Sequence, residues 1–508
     1  MTLPRGWTNA KLGEVTLERV EQREPSASAV PYIDIGSIDR DLKQVGPTAK
    51  VNRANAPTRA RQWVKPGDVL VSLTRPNLNA VALVTPEHDG AVASTGFDVL
   101  RAQGILPEWV FNRVRSQAFV SDVCAGVQGV VYPAIRPADV RRHDLPVPPA
   151  AEQRRIVEAV DSYLTRLDAA VASLERVHAK LEAFRASVLK AAVEGRLVPT
   201  EASLARAEHR SYEAADALLA RILKDRRRRW EEAELARLAA AGKTPKGDKW
   251  KVKYEDPVAP DTSRLPEIPE GWCWASVDQL TDGARNSGYG VLVPGPDVTE
   301  GVPLVRVGDI HDGTVSTFEL KRIDRVIADQ FAKTYLSGGE VLLSLVGTIG
   351  RSAVVPASLS GANVARAVGV IPVSSLVRSR WVEMWFRSPR IQVLMNSRAH
   401  EVARKTLNLE DVRSAAVAVP PFDEQERMIA EAEALESGAA VAGSTVATNS
   451  LRCVRLRQAV LKWAFEGKLV DQDPADEPAA RLLARLRATR AAAAHANKNA
   501  GRRNKGAA

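Results

Sequence analysis

The sequence predicts an α+β protein in which two similar mixed α/β modules are each followed by a long helix. Residues 148–153 (PPAAEQ) return as 420–425 (PPFDEQ), and 194–198 (EGRLV) return as 466–470 (EGKLV), in both cases 272 positions later. Short β-branched runs bounded by Gly and Pro precede each Pro pair, and a heptad-like apolar pattern follows it. We therefore expect two similar surfaces that face a partner with two parts.

The composition favours an intracellular protein of several domains. A chain of 508 residues is too long for one hydrophobic core. Its 71 basic and 61 acidic residues leave a net charge of +10, which is compatible with an anionic partner such as nucleic acid. Cys124, Cys273 and Cys453 are scattered, as expected of reduced thiols. Neither a signal sequence nor an apolar run of about 18 residues is evident, so we expect a cytoplasmic protein with no membrane partner.

Residues 1–150 form the first predicted module. The stretches 30–36 and 67–73 are β-branched runs bounded by Gly and Pro, as is typical of strands. A short helix is predicted over 107–114. The strand at 67–73 (GDVLVSL) returns as 339–345 (GEVLLSL), so the same α/β framework is expected in the second half.

The first long helix begins after the Pro pair at 148–149 and ends near Gly195. Apolar residues recur along it at alternating spacings of four and three, a period of 3.5 that is typical of a coiled-coil seam. The seam consists of Ile156, Val160, Tyr163, Leu167, Ala170, Leu174, Val177, Leu181, Phe184, Val188 and Ala191.

This helix belongs to a central helical region and linker, predicted over 151–265. A second helix is expected over 211–240 and carries the basic run 226–229. Acidic residues at 231, 232 and 234 favour a solvated, charge-compensated face for that run over a phosphate contact. Four prolines between 257 and 269 keep the following linker extended.

The second module is predicted over 266–421, a distal helical region over 422–490, and a disordered basic tail over 491–508. Two seams of equal length in one chain most simply pair with each other, and the connections allow parallel or antiparallel packing. The second seam consists of Met428, Ala432, Leu435, Ala439, Ala442, Val446, Asn449, Cys453, Leu456, Val460 and Trp463.

Apparent catalytic motifs fail on inspection. Residues 241–244 (AGKT) lack the first Gly of a phosphate-binding loop, because Arg237 stands at that position. Residues 419–422 (VPPF) resemble the Asn/Asp-Pro-Pro-Tyr/Phe motif of amino-methyltransferases, but Val419 replaces the residue that would accept hydrogen bonds from the target amine. The seven histidines show no metal-ligand spacing. We predict no catalytic site and no metal site.

Nucleic-acid binding is better supported by polar loops at equivalent places in the two modules. Arg, Lys, Asn and Thr in loops are the side chains that pair with phosphates and base edges. Framework positions agree between the copies while loop positions differ, as expected if each module recognises something different. The candidates are Arg53, Arg59, Arg61, Lys65, Arg75, Asn77 and Asn79 in the first module, and Lys321, Arg322, Lys333, Thr348 and Arg351 in the second.

Together these features resemble the specificity subunits of type I restriction–modification systems. The resemblance lies in the repeated PPxxEQ and EGR/KLV stretches, in 268–272 (IPEGW), and in the repeated strand at 67 and 339. It implies two target-recognition domains, joined by two long helices that pair as an antiparallel coiled coil. It further implies that each domain binds one half of a bipartite, asymmetric double-stranded DNA target.

The resemblance also implies partners. Such a subunit is expected to have no active site and no cofactor of its own. Two methyltransferase subunits would methylate adenine with S-adenosylmethionine, and restriction subunits would use ATP and Mg²⁺. The residues expected to form the coiled coil or to dock these partners are Ile156, Val160, Tyr163, Leu167, Leu174, Leu181, Phe184, Met428, Leu435, Leu456 and Val460.

Three alternatives stay open at this point. The chain could be a coiled-coil scaffold that binds DNA without sequence preference, or the specificity subunit of a methylation-only system. It could also be an enzyme, a fused methyltransferase or nuclease. That last alternative requires an S-adenosylmethionine loop or a carboxylate cluster, neither of which the sequence displays.

Overall fold

The computed structural model describes residues 3–125, 133–245, 247–285, 287–311, 313–401 and 405–505, without the side chains of 400–401 and 493–505. The chain divides into two compact units. The first contains Met1–Arg176 and Val446–Ala508, and the second contains Val177–Thr445. Each unit thus holds one α/β module with parts of both long helices. The domain boundaries predicted from the sequence stay a prediction.

The described residues of the first unit form four sheets. One has the antiparallel order β10-β7-β8, the second has the order β5-β2-β9-β6 with a parallel β2–β9 pair, and the other two are the pairs β1–β11 and β3–β4. Every residue of β7 is buried, which explains the apolar residues at 69–71 between Asp68 and Ser72. The strands are β1 (Thr8–Lys11), β2 (Val30–Ile33), β3 (Ile38–Asp39), β4 (Gln44–Val45), β5 (Ala49–Val51), β6 (Ala60–Trp63), β7 (Asp68–Ser72), β8 (Val81–Leu83), β9 (Val92–Ser94), β10 (Phe97–Arg101) and β11 (Asp144–Val147).

Helices α1 (Pro107–Val114), α2 (Gln117–Cys124) and α3 (Pro137–Arg141) complete the first module. The first long helix, α4 (Ala150–Val193), follows the Pro pair. Helices α5 (Glu201–Ala207) and α6 (Ala215–Ala240) come next. None of the helices that the structure describes is both long and apolar enough to span a membrane.

The second unit repeats this plan. One sheet has the order β13-β21-β18-β19, another has the order β17-β14-β20 with a parallel β14–β20 pair, and β12 pairs with β24. The strands are β12 (Cys273–Ser276), β13 (Gly288–Tyr289), β14 (Val302–Val305), β15 (Ile310–His311), β16 (Thr314–Val315), β17 (Lys321–Ile323), β18 (Val341–Ser344), β19 (Ser352–Val354), β20 (Asn363–Val364), β21 (Val368–Ile371), β22 (His400–Glu401), β23 (Lys405–Thr406) and β24 (Ala416–Val419).

The remaining helices are α7 (Arg325–Asp329), α8 (Ser379–Arg387), α9 (Pro389–Arg398), α10 (Leu409–Arg413), the second long helix α11 (Phe422–Phe465), and α12 (Ala479–Lys505). The tail predicted to be disordered over 491–508 is therefore helical up to Lys505. Its alanine-rich start at 491–494 has the highest intrinsic helix propensity, which the prediction from charge and composition underestimated. Residues 506–508 lie outside the described part.

Within each unit the two long helices run antiparallel. In the first unit Arg155 forms an ion pair with Asp476 at 2.7 Å, and Asp168 forms one with Arg457. Residue numbers therefore increase along α4 while they decrease along the segment that pairs with it. In the second unit Glu201, beyond the end of α4, binds Arg427 near the start of α11 at 2.6 Å. Both helices enter the hydrophobic core of each unit. The predicted pairing of two long helices is confirmed.

The predicted seam is displaced at several positions. Tyr163, Phe184 and Leu456 are exposed by 45%, 41% and 38%, whereas Leu164 and Leu461 are buried. A straight α-helix has 3.6 residues per turn, so its buried stripe drifts away from a strict 3.5-residue seam. The modules that cover the helix ends also bury a second helix face. The remaining seam residues of the docking prediction are buried or half-buried.

The basic run of α6 is compensated, as predicted. Arg228 forms ion pairs with Asp225 and Glu232, and Arg227 forms one with Glu231 at 3.3 Å. Arg226 is buried and donates to the Tyr254 hydroxyl at 3.0 Å. The run therefore anchors α6 to its surroundings in the second unit.

Candidate functional site

A tryptophan near the start of the first module contacts both long helices. The Trp7 indole donates to both carboxylate oxygens of buried Glu152 at 3.0 Å, at the beginning of α4. Its ring packs edge-on against Trp109 of α1, with the centroids 5.9 Å apart. Gly467, just after α11, lies so close that a Cβ there would stand 2.5 Å from Pro4 and 3.4 Å from the indole. Trp7 therefore joins the start of one helix to the end of the other.

The second unit builds the same junction. The Trp272 indole donates to Glu424 of α11 at 2.8 Å and packs edge-on against Trp381 at 5.5 Å. A Cβ on Gly195, just after α4, would stand 2.4 Å from Pro269 and 3.1 Å from the Trp272 ring. The repeated PPxxEQ and EGR/KLV stretches thus encode one junction that is built twice.

The glutamine that follows each buried glutamate fixes the entry of its helix. Gln153 donates to the carbonyl of Pro148 at 2.9 Å and accepts the backbone N–H of Leu106 at 3.3 Å. Gln425 makes the two equivalent bonds at 3.0 Å each. These bonds satisfy backbone groups that would otherwise be buried without partners.

Burial raises the pKa of both junction carboxyls, Glu152 and Glu424. The indole hydrogen bond opposes the rise in each case, because it stabilises the charged form. Glu424 also accepts the backbone N–H of Glu201 at 2.8 Å. The junctions are structural sites whose hydrogen bonds partly offset the cost of burying a carboxylate.

The structure divides the nucleic-acid candidates of the first module between opposite ends of its sheets. Residues 95–96 form backbone hydrogen bonds with Arg59, just before β6, and with Leu73, just after β7. Arg59 and Arg75 therefore lie at one end of the sheets. Lys65 lies at the other end, where its N–H donates to Asp68 at 2.9 Å, and strand pairing places Arg53 there too. The five residues of β7 separate these ends by about 17 Å. Exposed Arg61 pairs with Glu24 at 3.4 Å.

The loop after β7 has a strained backbone beside a polar cavity. Arg75, Asn79 and Lys43 adopt left-handed φ values of +49°, +47° and +58°, three of the five such non-glycine residues in the described part of the chain. Each costs on the order of 1 kcal/mol, and such strain clusters at functional sites. The Lys43 Nζ donates to the Asn79 carbonyl at 2.6 Å. The cavity of about 390 Å³ is lined by Lys43, Asn77, Asn79 and Arg115, among others.

In the second module, the equivalent loop joins β18 to β19. The Ser344 hydroxyl donates to the Thr348 carbonyl at 2.5 Å and accepts the Arg351 N–H at 2.8 Å, which fixes the loop. Thr348 and Arg351 are exposed and line a cavity of about 730 Å³ that also contains Arg380 and Arg387. The two cavities are lined in part by equivalent residues of the repeat, since Asn77, Asn79 and Arg115 correspond to Ile349, Arg351 and Arg387.

Two other candidates of the second module bind its own backbone. The Lys321 Nζ donates to the Gly295 carbonyl at 2.5 Å, and the Arg322 guanidinium donates to the Gly301 carbonyl at 3.0 Å. Lys333 is exposed after α7. Lys321 and Arg322 therefore hold the 295–301 segment in this structure, and Thr348 and Arg351 are the candidates that share a cavity.

Comparison with known proteins gives the family. No protein-family model matches the chain. The type I restriction enzyme EcoBI specificity subunit of Escherichia coli is 30% identical over 383 residues, which cover 74% of this chain and 70% of that protein. This chain belongs to the type I specificity subunits. The EcoKI specificity subunit of E. coli K12 is 22% identical over 523 residues, covering 96% of this chain and 97% of that one.

Solved structures share the fold of this specificity subunit. A chain from a study of complex assembly and conformational transition in a type I R-M system aligns with a TM-score of 0.63 and 23% identity, over 92% of this chain and all of that one. The HsdS subunit from Thermoanaerobacter tengcongensis aligns with a TM-score of 0.51 and 22% identity, over 92% and 98%. The predicted fold class and the family resemblance are confirmed.

In this specificity subunit, no three His, Cys, Asp or Glu side chains of the described residues are grouped so as to hold a metal ion. That the subunit has no catalytic, metal or cofactor site stays a prediction, as does the DNA-binding role of the individual loop residues.

Sequence reasoning missed Lys43 and Arg115. Arg115 recurs as Arg387 at the offset of 272, and such repetition is typical of the shared framework. No local pattern predicts a left-handed backbone at Lys43. The signal that distinguishes Arg115 from Arg387 is a comparison of the residues that surround each arginine in its own half of the sequence.

Proposed function

We propose that this specificity subunit binds double-stranded DNA and recognises a bipartite, asymmetric target, with one half-site for each α/β module. The supporting observation is that both units build the same junction while their loops differ. Where the first module has Asn77 and Asn79, the second has Ile349 and Arg351 at the same offset. Different side chains on one framework suit the recognition of two different half-sites, because base edges are distinguished by their donor and acceptor patterns.

The partners follow from the same proposal. Two methyltransferase subunits, carrying S-adenosylmethionine, would modify adenine, and ATP- and Mg²⁺-dependent restriction subunits would cleave unmodified DNA. The subunit itself would be non-catalytic. Its long helices expose Tyr163, Phe184, Leu451, Val454 and Trp463, which are large apolar side chains suited to helix packing by a partner. The relatives are named as parts of type I restriction enzymes, which supports this assignment.

The decisive experiment compares genome-wide adenine methylation in the host with the gene present and deleted. A bipartite, asymmetric methylated sequence that disappears on deletion supports the proposal. In a binding selection at physiological salt, the absence of a consensus would instead favour a non-specific scaffold. Methylation by the isolated chain would establish the enzyme alternative. Restriction of unmodified phage DNA separates a complete restriction system from a methylation-only one.

The long helices are proposed to set the distance between the half-sites. Each has 44 residues, a rise of about 66 Å. Inserting seven residues into α4 after Arg176 and seven into α11 after Thr445 adds almost two turns to each helix and changes its phase by only about 20°. We expect a spacer longer by about three base pairs and unchanged half-sites.

The control is the same insertion after Thr244, in the exposed turn that follows α6. It should leave the spacer unchanged. Methylation mapping decides the outcome. An unchanged spacer in the helix variant, or altered half-site bases, would show that the helices do not set the distance.

A further inference from the structure

Arg387, which lines the cavity of the second unit, is neutralised by carboxylates of that unit. The Arg387 Nε lies 2.7 Å from a carboxylate oxygen of Glu383, and its Nη2 lies 3.0 Å from Glu436. Glu383 is fully buried and also binds Arg380 at 2.8 Å. The charges around Arg387 are therefore compensated within the protein.

The cavity of the first unit, beside Arg115, lacks equivalents of both Glu383 and Glu436. At the offset of 272, Phe111 takes the place of Glu383 and Leu164 takes the place of Glu436. Arg115 instead lies over the Phe111 ring, 4.5 Å from its centroid, and donates to the amide oxygen of Asn112. In the part of the chain that the structure describes, no carboxylate reaches ion-pair distance of Arg115, whereas two carboxylates do so at Arg387. Burial lowers the pKa of Arg115 to about 10.

Two more cations lie beside this arginine. Lys43 and exposed Arg40 line the same cavity, where Asp41 is the one lining carboxylate among the described residues. Burial lowers the pKa of Lys43, and Arg115 adds to this effect. Asp161 and Asp168 act on Arg115 from a greater distance, but Asp168 is already paired with Arg457. The cavity thus carries an excess of positive charge that its own side chains do not neutralise.

The backbone around the cavity is preformed. Lys43 holds a left-handed conformation that is uncommon for a long side chain, and its hydrogen bond to the Asn79 carbonyl fixes it beside another left-handed residue. A half-buried cation without an ion-pair partner is costly, and a phosphate group would offset that cost. The planar guanidinium fork also matches the geometry of phosphate oxygens.

We propose that the cavity beside Arg115 binds a phosphate group of the DNA backbone, next to the half-site recognised by the first module. The inference rests on the proposed function and deepens it. Arg115 and Lys43 supply the charge, and Arg40 and Asn77 lie exposed at the opening. The equivalent cavity of the second unit binds no phosphate, because Glu383 and Glu436 already form ion pairs with its Arg387. The two modules thus hold the DNA backbone differently.

The test installs the carboxylate of the second unit in the first, by Phe111→Glu in the full-length chain. The new carboxylate should pair with Arg115 and exclude phosphate. We expect DNA affinity to fall about tenfold, equally for target and non-target duplexes. The slope of log affinity against log salt should decrease by about 0.9, the value of one phosphate contact. The thermal midpoint should fall, because Phe111 belongs to the hydrophobic core of its unit and the ring is lost, so DNA affinity and salt slope decide the test.

Two variants serve as controls. Phe111→Leu removes the ring without adding a charge and should retain affinity and salt slope. Arg115→Gln should lose both as Phe111→Glu does, which keeps the test valid if the glutamate variant fails to fold. Arg387→Gln, in the second unit, should lower the thermal midpoint but not the salt slope. The inference is overturned if Phe111→Glu and Phe111→Leu bind DNA with equal affinity and slope.

Inorganic phosphate separates the two possible sources of the anion. Phosphate at constant ionic strength should raise the thermal midpoint of the wild type but not of Phe111→Glu. Phosphate could raise the wild-type midpoint in this way while Phe111→Glu and Phe111→Leu bind DNA with equal affinity. In that case the cavity binds free phosphate and the DNA contact is refuted. A binding selection with the wild type that returns no bipartite consensus refutes the proposed function instead, and the salt slopes still decide the phosphate contact.

Discussion

Replacing Trp272 by Phe measures what the indole hydrogen bond contributes to the second junction. The substitution keeps an aromatic ring against Trp381 but removes the donor that lies 2.8 Å from Glu424. A hydrogen bond to a charged group contributes about 1.5–3 kcal/mol, more than the partial loss of ring area. Because Glu424 is buried, no water replaces the donor, and we expect a loss near the upper end of that range.

The loss should depend on pH. Burial raises the pKa of Glu424 above its ordinary value of 4.5, and the indole opposes that rise. Without the indole, the folded-state pKa rises further while the unfolded-state pKa does not change. A group with a raised folded-state pKa loses stability as pH increases from its unfolded value through its folded value. The variant should therefore lose more stability at about pH 8 than at about pH 5.

Urea unfolding of the full chain at the two pH values gives the result, with the shift in midpoint compared between proteins. Trp274→Phe is the matched control, since Trp274 packs edge-on against Trp385 at 5.7 Å and its indole donates no hydrogen bond to a described residue. Its effect should not depend on pH. Equal losses for Trp272→Phe at both pH values would refute the role assigned to the buried carboxylate.

Two further predictions concern the helix ends and the buried ion cluster. Gly195→Ala and Gly467→Ala should each destabilise by about 1–3 kcal/mol, because φ is +67° and +66° and a Cβ would overlap a proline ring. Gly438→Ala, where a Cβ meets open space within α11, should stabilise by about 0.5–1 kcal/mol, and thermal midpoints that fail to separate these variants would contradict the assignment. Glu383→Ala should cost about 3 kcal/mol in urea unfolding, the lower end of the range for a broken buried ion pair, because Arg380 and Arg387 lose a buried carboxylate but keep Glu436; a wild-type midpoint would show that Glu383 contributes nothing.

The framework was predictable because repetition exposes it. The Pro pair, the buried Glu152 and the closing Gly467 recur at one offset, and each corresponds to a contact that both units make. What the sequence did not predict is that these distant motifs meet at a single indole. That meeting depends on long-range packing, which no local pattern encodes.

The loops were less predictable, because a charged side chain in a loop has several uses. Lys321 and Arg322 bind backbone carbonyls, while Arg115, which looked like framework, lies in a cavity without a carboxylate partner. Tyr163 fits a 3.5-residue seam on paper but lies on the exposed side of a helix with 3.6 residues per turn. Burial and backbone conformation decide these cases, and both appear only in the folded chain.

The tryptophan junctions imply that one half of the sequence does not contain every residue needed to build one unit of the fold. Trp7 needs Gly467 from the second sequence repeat, and Trp272 needs Gly195 from the first. A chain cut within the 241–265 linker would yield two fragments, each with a module whose junction is incomplete. Two identical copies of one fragment could complete each other by exchanging helix ends, which would yield a symmetric pair. Such a pair would have two equal modules, and a palindromic target would replace the asymmetric one.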